Sequence, residues 1–381
     1  MDFELSEEQE MVRNSVREFA RNEIAPVARE YDEAEKFPRE QLDGLAELGL
    51  LGMIIPEEYG GAGLDSVSYA LALEEIARAD SSVAVIVSVT NSVCCYPILK
   101  FGTEEQKQKY LVPLAKGEKL GAFCLSEPQA GSDATSQKTR AVADGDFYIL
   151  NGTKSWVTNG GEAGVYLVIA VTGESNGRKE ISAFLVEGDA VGLAVSSVEH
   201  KMGQRASKTC EMSLTDVKIP KANLLGEIGN GLKVAFGSLD NGRIGIAALS
   251  VGIAQAALEE AANYAKDRTA FGKPISEFQA IQHKLADMTT EIDAARLLTL
   301  RAAAAKDAGD KKSGIYAAQA KLFASEAANR VCAEAVQIHG GNGFSRHYNV
   351  EKFYRDARIT TIYEGTSEMQ RIVISRGILK D

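Results

Sequence analysis

The stretch DFYILNGTKSWVTNG, Asp146 to Gly160, alternates β-branched and aromatic residues with polar ones and closes on Asn-Gly. This pattern predicts a strand that runs into a turn. Runs of the same texture flank it: GAFCLSE before it, then GVYLVIAVTG, ISAFLVEG, LAVSSVEH and CEMSLTDVKIP, each punctuated by glycine, asparagine or aspartate. Six runs without helical periodicity between them predict an antiparallel sheet or small barrel, because βαβ units would need helices in the gaps.

Outward from this block the texture turns helical on both sides. Upstream, Ser6 and Gln9 form a capping box ahead of QEMVRNSVREFARNEIAPVARE, where Val12, Val16, Phe19 and Ala20 recur at spacings of three and four. EYGGAGLD marks a loop, the next helix starts near Ser66, and TEEQKQKYLVPLA opens another after Thr103, with acidic residues in its first turn. The most apolar run, Ser81 to Leu99, carries serines, Thr90, Asn91 and Pro97 that a bilayer would leave unpaired, so it reads as a buried core helix. Downstream of Gly231, alanine-rich helical patterns continue through IAALSVGIAQAALEEAANYAKDR and LADMTTEIDAARLLTLRAAAAKDAG. The expected fold is α+β and mainly α. It comprises an N-terminal helical domain over 1–120, a middle β-domain of small-barrel or sandwich type over 121–230, and a C-terminal helical bundle over 231–381.

With 381 residues, 45% of them hydrophobic, the chain exceeds the roughly 250–300 residues that one core usually serves, so two or three subdomains are expected. A net charge of −11 argues against a nucleic-acid surface, which needs a concentrated positive field. MDFELSEEQE is acidic from its second residue, so no secretory leader is expected and the chain reads as cytoplasmic, with no membrane span. Cys94, Cys95, Cys124, Cys210 and Cys332 have neither CxxC nor Cys/His spacing, which predicts reduced thiols and no metal site.

Several segments can carry chemistry. In TTIYEGTSEMQR, Glu364 lies between an aromatic residue and a glycine, and Ser367 with Gln370 can form a capping box that would make it a simple helix-start carboxylate. In VQIHGGNGFSR, Gly340, Gly341 and Gly343 permit a nest of amides around a phosphate, or an ordinary helix end; they follow a helix, which does not suit a Rossmann fingerprint. Arg268 ends a long helix and either complements its dipole or pairs with a pyrophosphate. Asp240 and Arg243 form a surface pair or meet the polar end of a ligand. FCLSEPQAGSDA offers Ser126 and Ser132 to an anion or a heterocycle. Trp156, the only tryptophan, shares a strand face with Thr158; it either fills the core or presents a flat ring to a redox cofactor.

Taken in order, CLSEPQAGSDA, KSWVTNG, the RTAFG block, QIHGGNGF and IYEGTSE closely resemble the acyl-CoA dehydrogenase family, from about Phe3 to the last helix. The resemblance implies a C-terminal four-helix bundle, FAD, an acyl-CoA substrate, electron-transferring flavoprotein as acceptor, and a homotetramer built as a dimer of dimers. Carried over by position, Phe123, Leu125, Ser126, Gly131, Ser132, Trp156 and Thr158 would hold the flavin ring. Arg268, Phe271, Gln279, Gln337, Gly340 and Gly341 would hold the pyrophosphate and adenosine, partly across a subunit boundary, and Thr366 and Glu368 would also touch FAD. Ser132, Asp240, Arg243 and Gly365 would meet the thioester. Glu364 would be the base that removes the α-proton, with a pKa raised by burial.

Long-chain and isovaleryl-type members place that glutamate on the helix containing LDNGR; here Gly242 stands at the matching position, which favours Glu364. Glutaryl-type members carry an arginine in the segment corresponding to Ser81–Leu99, and this chain has none there, so a dicarboxylic substrate is not expected. A short, unbranched, butyryl-like substrate is the expectation. Branched, medium-chain or cyclic substrates, an acyl-CoA oxidase, and at greater distance a non-catalytic scaffold are the alternatives.

Overall fold

The computed structural model describes residues 4–175 and 177–379. Phe3, where the resemblance begins, lies outside them, as do Met1 and Asp381 at the ends of the expected units. The order is helical, β, helical, as the texture predicted.

The first helix, Glu7–Phe19, starts as its cap dictates. The Gln9 amide donates to the Ser6 hydroxyl at 3.2 Å while the Ser6 amide donates to the Gln9 side chain at 3.1 Å. Thr103 and Gln106 repeat the device at the start of the later helix. The apolar run from Ser81 is one continuous helical segment whose middle, Thr90–Cys95, widens into a π turn. Its polar groups find partners inside the fold: the Asn91 amide donates to the Leu50 and Val87 carbonyls, and the Ser92 hydroxyl to the Ser88 carbonyl. Ser81–Phe101 and Gly231–Asp267 are long and apolar enough to cross a membrane, yet both lie mostly buried in the core. All five cysteines are free and buried.

Eight strands form one sheet: β1 (Gly121–Cys124), β2 (Arg140–Asp144), β3 (Phe147–Thr158), β4 (Val165–Ser175), β5 (Arg178–Glu187), β6 (Leu193–Val198), β7 (Thr209–Pro220) and β8 (Leu224–Leu225). They run in the order β6-β7-β3-β2-β4-β5-β8, mostly antiparallel, with β1 parallel to β4 and a single parallel pairing of β2 with β4. Strands far apart in that order share one core. Tyr148 and Leu150 of β3 and Met212 and Leu214 of β7 pack with Tyr166 and Val168 of β4 and Phe184 of β5, and the Tyr148 and Phe184 rings meet at 5.0 Å. The sheet therefore folds back on itself, as the barrel or sandwich expectation required. The alternate residues of β4, Val165, Leu167, Ile169 and Val171, point the other way into the helical core, the period-two pattern of a strand buried on both faces.

Three long helices, Gly231–Asp267, Gln279–Asp307 and Ser313–His339, and the shorter Ser367–Leu379 make the C-terminal bundle. A buried ionic junction ties all three parts together. Lys352 pairs with Asp80 at 3.0 Å and Asp356 at 2.7 Å, while Asp356 also accepts from the Ser81 hydroxyl and, at 2.5 Å, from the Gln204 amide. Burial works against the Lys352 charge, but Asp356 and Asp80 outweigh it and hold its pKa above the usual lysine value.

Candidate active site

The Val350–Arg358 helix ends in a tight turn, and the chain then enters two consecutive left-handed residues, Glu364 (φ 52°) and Gly365 (φ 94°). Such a backbone is costly for a glutamate, so other contacts must hold it. Glycine suits position 365 because its left-handed backbone strains any L side chain, and a Cβ there would lie 2.6 Å from Gln370 Nε2 and displace it. That same Nε2 donates to the Gly365 carbonyl at 2.9 Å and to the Glu364 carbonyl at 3.3 Å, and Lys321 Nζ donates to the Gly365 carbonyl at 2.7 Å. The expected Ser367–Gln370 capping box is thus absent. Thr366 caps the last helix, its hydroxyl accepting from the Met369 amide at 3.3 Å, because Gln370 is committed to bracing the turn. Glu364 is not a helix-start carboxylate.

The turn aims the Glu364 carboxylate at the Gly231–Asp267 helix. A Cβ at Gly242 would lie 1.8 Å from Glu364 Oε2, so only glycine leaves room for it. Oε2 is sealed from solvent and has no hydrogen-bond partner. Burial raises the Glu364 pKa to about 7, against the opposing pull of Lys321 and Arg243. Burial likewise lowers Lys321 to about 8, with Glu364 opposing. One turn along the same helix face, a Cβ at Gly245 would meet the Tyr69 and Ser88 hydroxyls, both at 2.6 Å; these two hydroxyls lie 3.2 Å apart. Two residues before Gly242, round the helix from that face, Asp240 pairs with Arg243 at 2.7 Å and lies over Gly314 of the Ser313–His339 helix.

The β-domain carries a second group of the predicted residues. Glu127 and Lys154, with side chains 2% and 0% exposed, pair at 2.8 Å. Glu127 also accepts from the Lys138 and Thr139 amides, and Lys154 donates to the Leu125 carbonyl and the Gln137 side chain, so the loop holding Ser126, Gly131 and Ser132 is stitched to β3. Burial alone would raise Glu127, but Lys154 overrides it and takes its pKa down to about 2. Beside this staple, the pairing of β3 with β7 is irregular between Lys154 and Val157, and Trp156 sits at φ 60°. Val157 is buried while Trp156 stays 64% exposed, with Thr158 half-buried on its side of the strand. The core-filling reading of the lone tryptophan is thereby overturned: the bulge and left-handed backbone turn the ring out. Phe123, Leu125 and Ser126 are half-buried nearby in sequence, and Gly131 and Ser132 are exposed. Gln204 Nε2 donates to the Tyr363 hydroxyl at 3.1 Å, joining this domain to the residue before Glu364.

A third set of predicted residues forms a separate patch at the helix ends. Arg268 caps the Gly231–Asp267 helix, and Gly340 and Gly341 follow the Ser313–His339 helix; Tyr264 and His339, stacked at 4.1 Å, tie the two ends together. Arg268, Phe271, Gln279, Gln337, Gly340 and Gly341 are all exposed, as is Glu368 at the start of the last helix, where Thr366 is half-buried. Among the described residues none of the patch shares a hydrogen bond, ion pair or ring contact with Glu364 or Trp156, and Arg268 makes no ion pair. Sequence reasoning did not single out Lys321, Gln204 or Tyr69, and it gave Gln370 only a helix-capping role. Lys321 had a readable signal, a lysine within the Ala317, Ala320, Ala324, Ala328 stripe of its helix.

These features fit a flavin dinucleotide. Trp156, Phe271 (95% exposed) and Phe344 (92%) are large aromatic side chains left uncovered, the first two on left-handed backbone. The unpaired Arg268 beside a glycine-rich turn suits a diphosphate.

Comparison with known proteins agrees along the whole length. Three family models match in chain order: "Acyl-CoA dehydrogenase, N-terminal domain" over residues 6–118, "middle domain" over 122–217 and "C-terminal domain" over 229–379. The mitochondrial short-chain specific acyl-CoA dehydrogenase of Bos taurus is 51% identical, across 99% of this chain and 91% of its own. The solved butyryl-CoA dehydrogenase of Megasphaera elsdenii superposes with a TM-score of 0.97 at 47% identity, covering all of both chains. A chain in the structure of the electron transferring flavoprotein of Acidaminococcus fermentans gives 0.98 at 48%, again over all of both chains. Full-length matches of this depth, over a sealed carboxylate oxygen and uncovered aromatic side chains, have one reading: the chain belongs to the acyl-CoA dehydrogenase family and is FAD-dependent.

Proposed function

We propose that the enzyme removes the α- and β-hydrogens of a short, unbranched acyl-CoA, butyryl-CoA or a near homologue, to give the trans-2-enoyl thioester, with Glu364 as the base for the α-proton. FAD, when bound, takes up the β-hydrogen as hydride and passes its electrons to an electron-transferring flavoprotein. The observation that carries the reading is the Glu364 carboxylate, whose Oε2 is sealed from solvent and unpaired over Gly242. A carboxylate stripped of water and hydrogen bonds is a stronger base than an exposed one, and a pKa near 7 leaves it ionised in part at neutral pH.

The α-proton of a thioester is weakly acidic, so the developing enolate oxygen needs donors. The Glu364 amide makes no hydrogen bond among the described residues and is available for that oxygen. Asp240 and Arg243 orient the CoA side, with Ser132 and Gly365 at the thioester. Phe123, Leu125, Ser126, Gly131, Ser132, Trp156 and Thr158 hold the flavin ring, and Thr366 and Glu368 add contacts. Arg268, Phe271, Gln279, Gln337, Gly340 and Gly341 hold the dinucleotide's far end for a neighbouring subunit of a homotetramer, which accounts for their distance from Glu364. The three parts correspond to units 1–120, 121–230 and 231–381 of a soluble, cytoplasmic enzyme.

Tyr69 supports a short substrate. It lies over Gly245, three residues along the helix from Gly242, so its hydroxyl stands only about 4.5 Å further along that face at 1.5 Å rise per residue. Anaerobic titration of the purified protein with butyryl-CoA should bleach the flavin band, and Glu364→Gln should retain flavin yet show no bleaching. Wild-type reduction in Glu364→Gln would remove Glu364 as the base. A wild-type flavin that stays oxidised would redirect the substrate to branched, cyclic or longer thioesters.

A further inference from the structure

The inner face of the Ser313–His339 helix is built from alanines, yet Lys321 stands fully buried among them. A buried ammonium normally demands a carboxylate in contact. Among the described residues Lys321 makes no ion pair. Its one hydrogen bond goes to the Gly365 carbonyl at 2.7 Å, leaving the charge itself unshared. The carbonyl it holds belongs to the left-handed turn that aims Glu364, and the carboxylate so aimed has an oxygen with no partner.

We propose that Lys321 is a positioning residue for the reaction: its ammonium locks the Glu364–Gly365 turn and supplies the buried positive charge that keeps the Glu364 carboxylate ionised. The inference rests on Glu364 being the base. The other charged and titratable groups around the pair supply less of this charge or none of it. Arg243, on the Gly231–Asp267 helix, also favours the Glu364 charge, but less than Lys321 does, and it shares its own charge with Asp240 at 2.7 Å. Tyr69, on the Ser66–Ala79 helix, and Tyr363, on the turn itself, are phenols whose pKa burial raises, so they stay neutral. Glu326, on the helix of Lys321, is engaged by Arg371, and Glu368 is exposed at the start of the last helix. Lys321 is the one cation facing Glu364 without a contact partner among the described residues, and Glu364 is the main group opposing the loss of its proton.

The test is an infrared pH titration of the Glu364 carboxyl in the flavin-loaded enzyme, with Glu364→Gln subtracted to isolate its band. Lys321→Met removes both hydrogen bond and charge, Lys321→Gln keeps a donor without charge, and Lys321→Arg keeps the charge. The midpoint should lie near 7 in the wild type. It should rise by about one pH unit, a tenfold loss of ionised base well below the midpoint, in both neutral variants and stay near the wild-type value in Lys321→Arg. The acid limb of flavin reduction should move with it. An unchanged midpoint in Lys321→Met overturns the proposal. If that variant does not fold, equal midpoints in Lys321→Gln and Lys321→Arg overturn it. The infrared midpoint needs no turnover, so a wild type that titrates as described but is not reduced by butyryl-CoA would defeat the substrate assignment alone.

Discussion

Gly242→Ala tests the central geometry with one methyl group. An alanine Cβ at this position would lie 1.8 Å from Glu364 Oε2 and 2.7 Å from Cδ, whereas real Cβ contacts stay beyond 3.0 Å. To go from 1.8 to at least 3.0 Å, the carboxylate must retreat by about 1.2 Å. The turn beneath it cannot follow, because Lys321 and Gln370 hold the Gly365 carbonyl. The side chain must therefore rotate away from the substrate Cα. A misplacement of about 1 Å at a reacting group costs on the order of 10²-fold in rate. Stability should behave oppositely. The helix interior gains about 0.8–1 kcal/mol from glycine to alanine, and the atom that yields is the end of a flexible side chain. Stopped-flow anaerobic reduction by butyryl-CoA should slow about a hundredfold while flavin content is kept and Tm is unchanged or higher. Reduction within about threefold of wild type would show that the carboxylate does not work from its place over Gly242.

Single-turnover reduction should rise with pH through about 7 and level off above it, as Glu364 loses its proton; a profile flat across that range would count against this assignment. The linked stability effect has the opposite sign: with its pKa raised in the folded state, Glu364 binds more protons folded than unfolded between the usual carboxyl value and about 7, so stability falls as pH rises. Glu364→Gln should therefore melt above the wild type at pH near 8, with the gap closing towards the usual carboxyl range. Lys154→Met strands Glu127 without its counter-charge and should cost about 3–5 kcal/mol in denaturant unfolding, with flavin lost more readily because the 125–139 loop loses its staple. Tyr69→Ala should raise kcat/KM for hexanoyl-CoA relative to butyryl-CoA, and an unchanged ratio would show that Tyr69 is not the pocket floor.

Local pattern carried the fold into view. Period-two alternation, capping boxes at Ser6 and Thr103, and alanine-rich helical stripes are all properties of neighbours in the chain, and each appears where it was read. The Glu364 segment was legible as a motif, and Gly242 as the position where other family members carry their glutamate; that it leaves room for the Glu364 carboxylate was not. What was not legible were contacts across the chain. Whether Gln370 caps a helix with Ser367 or braces the Gly365 carbonyl depends on Lys321, 44 residues earlier, meeting the same oxygen. The outward turn of Trp156 depends on a slip in pairing with β7, which no run of β3 alone encodes.

Cross-chain contacts of the same kind explain why Glu364 sits where three parts of the chain meet. Gln204, from the connection between β6 and β7, donates through its side chain to the Tyr363 hydroxyl and through its amide to Asp356. Asp356 in turn is held by Lys352, which also binds Asp80 at the head of the apolar Ser81 helix. A buried ion pair of this kind adds little net stability over an apolar contact, because desolvation offsets most of the attraction. It does fix register: a displaced β-domain would leave Asp356 without its amide donor and Tyr363 without its side-chain donor, each a buried group that is expensive to leave unpaired. The position of Glu364 is thus tied to the docking of the β-domain that carries Trp156, so the two come into place together or not at all.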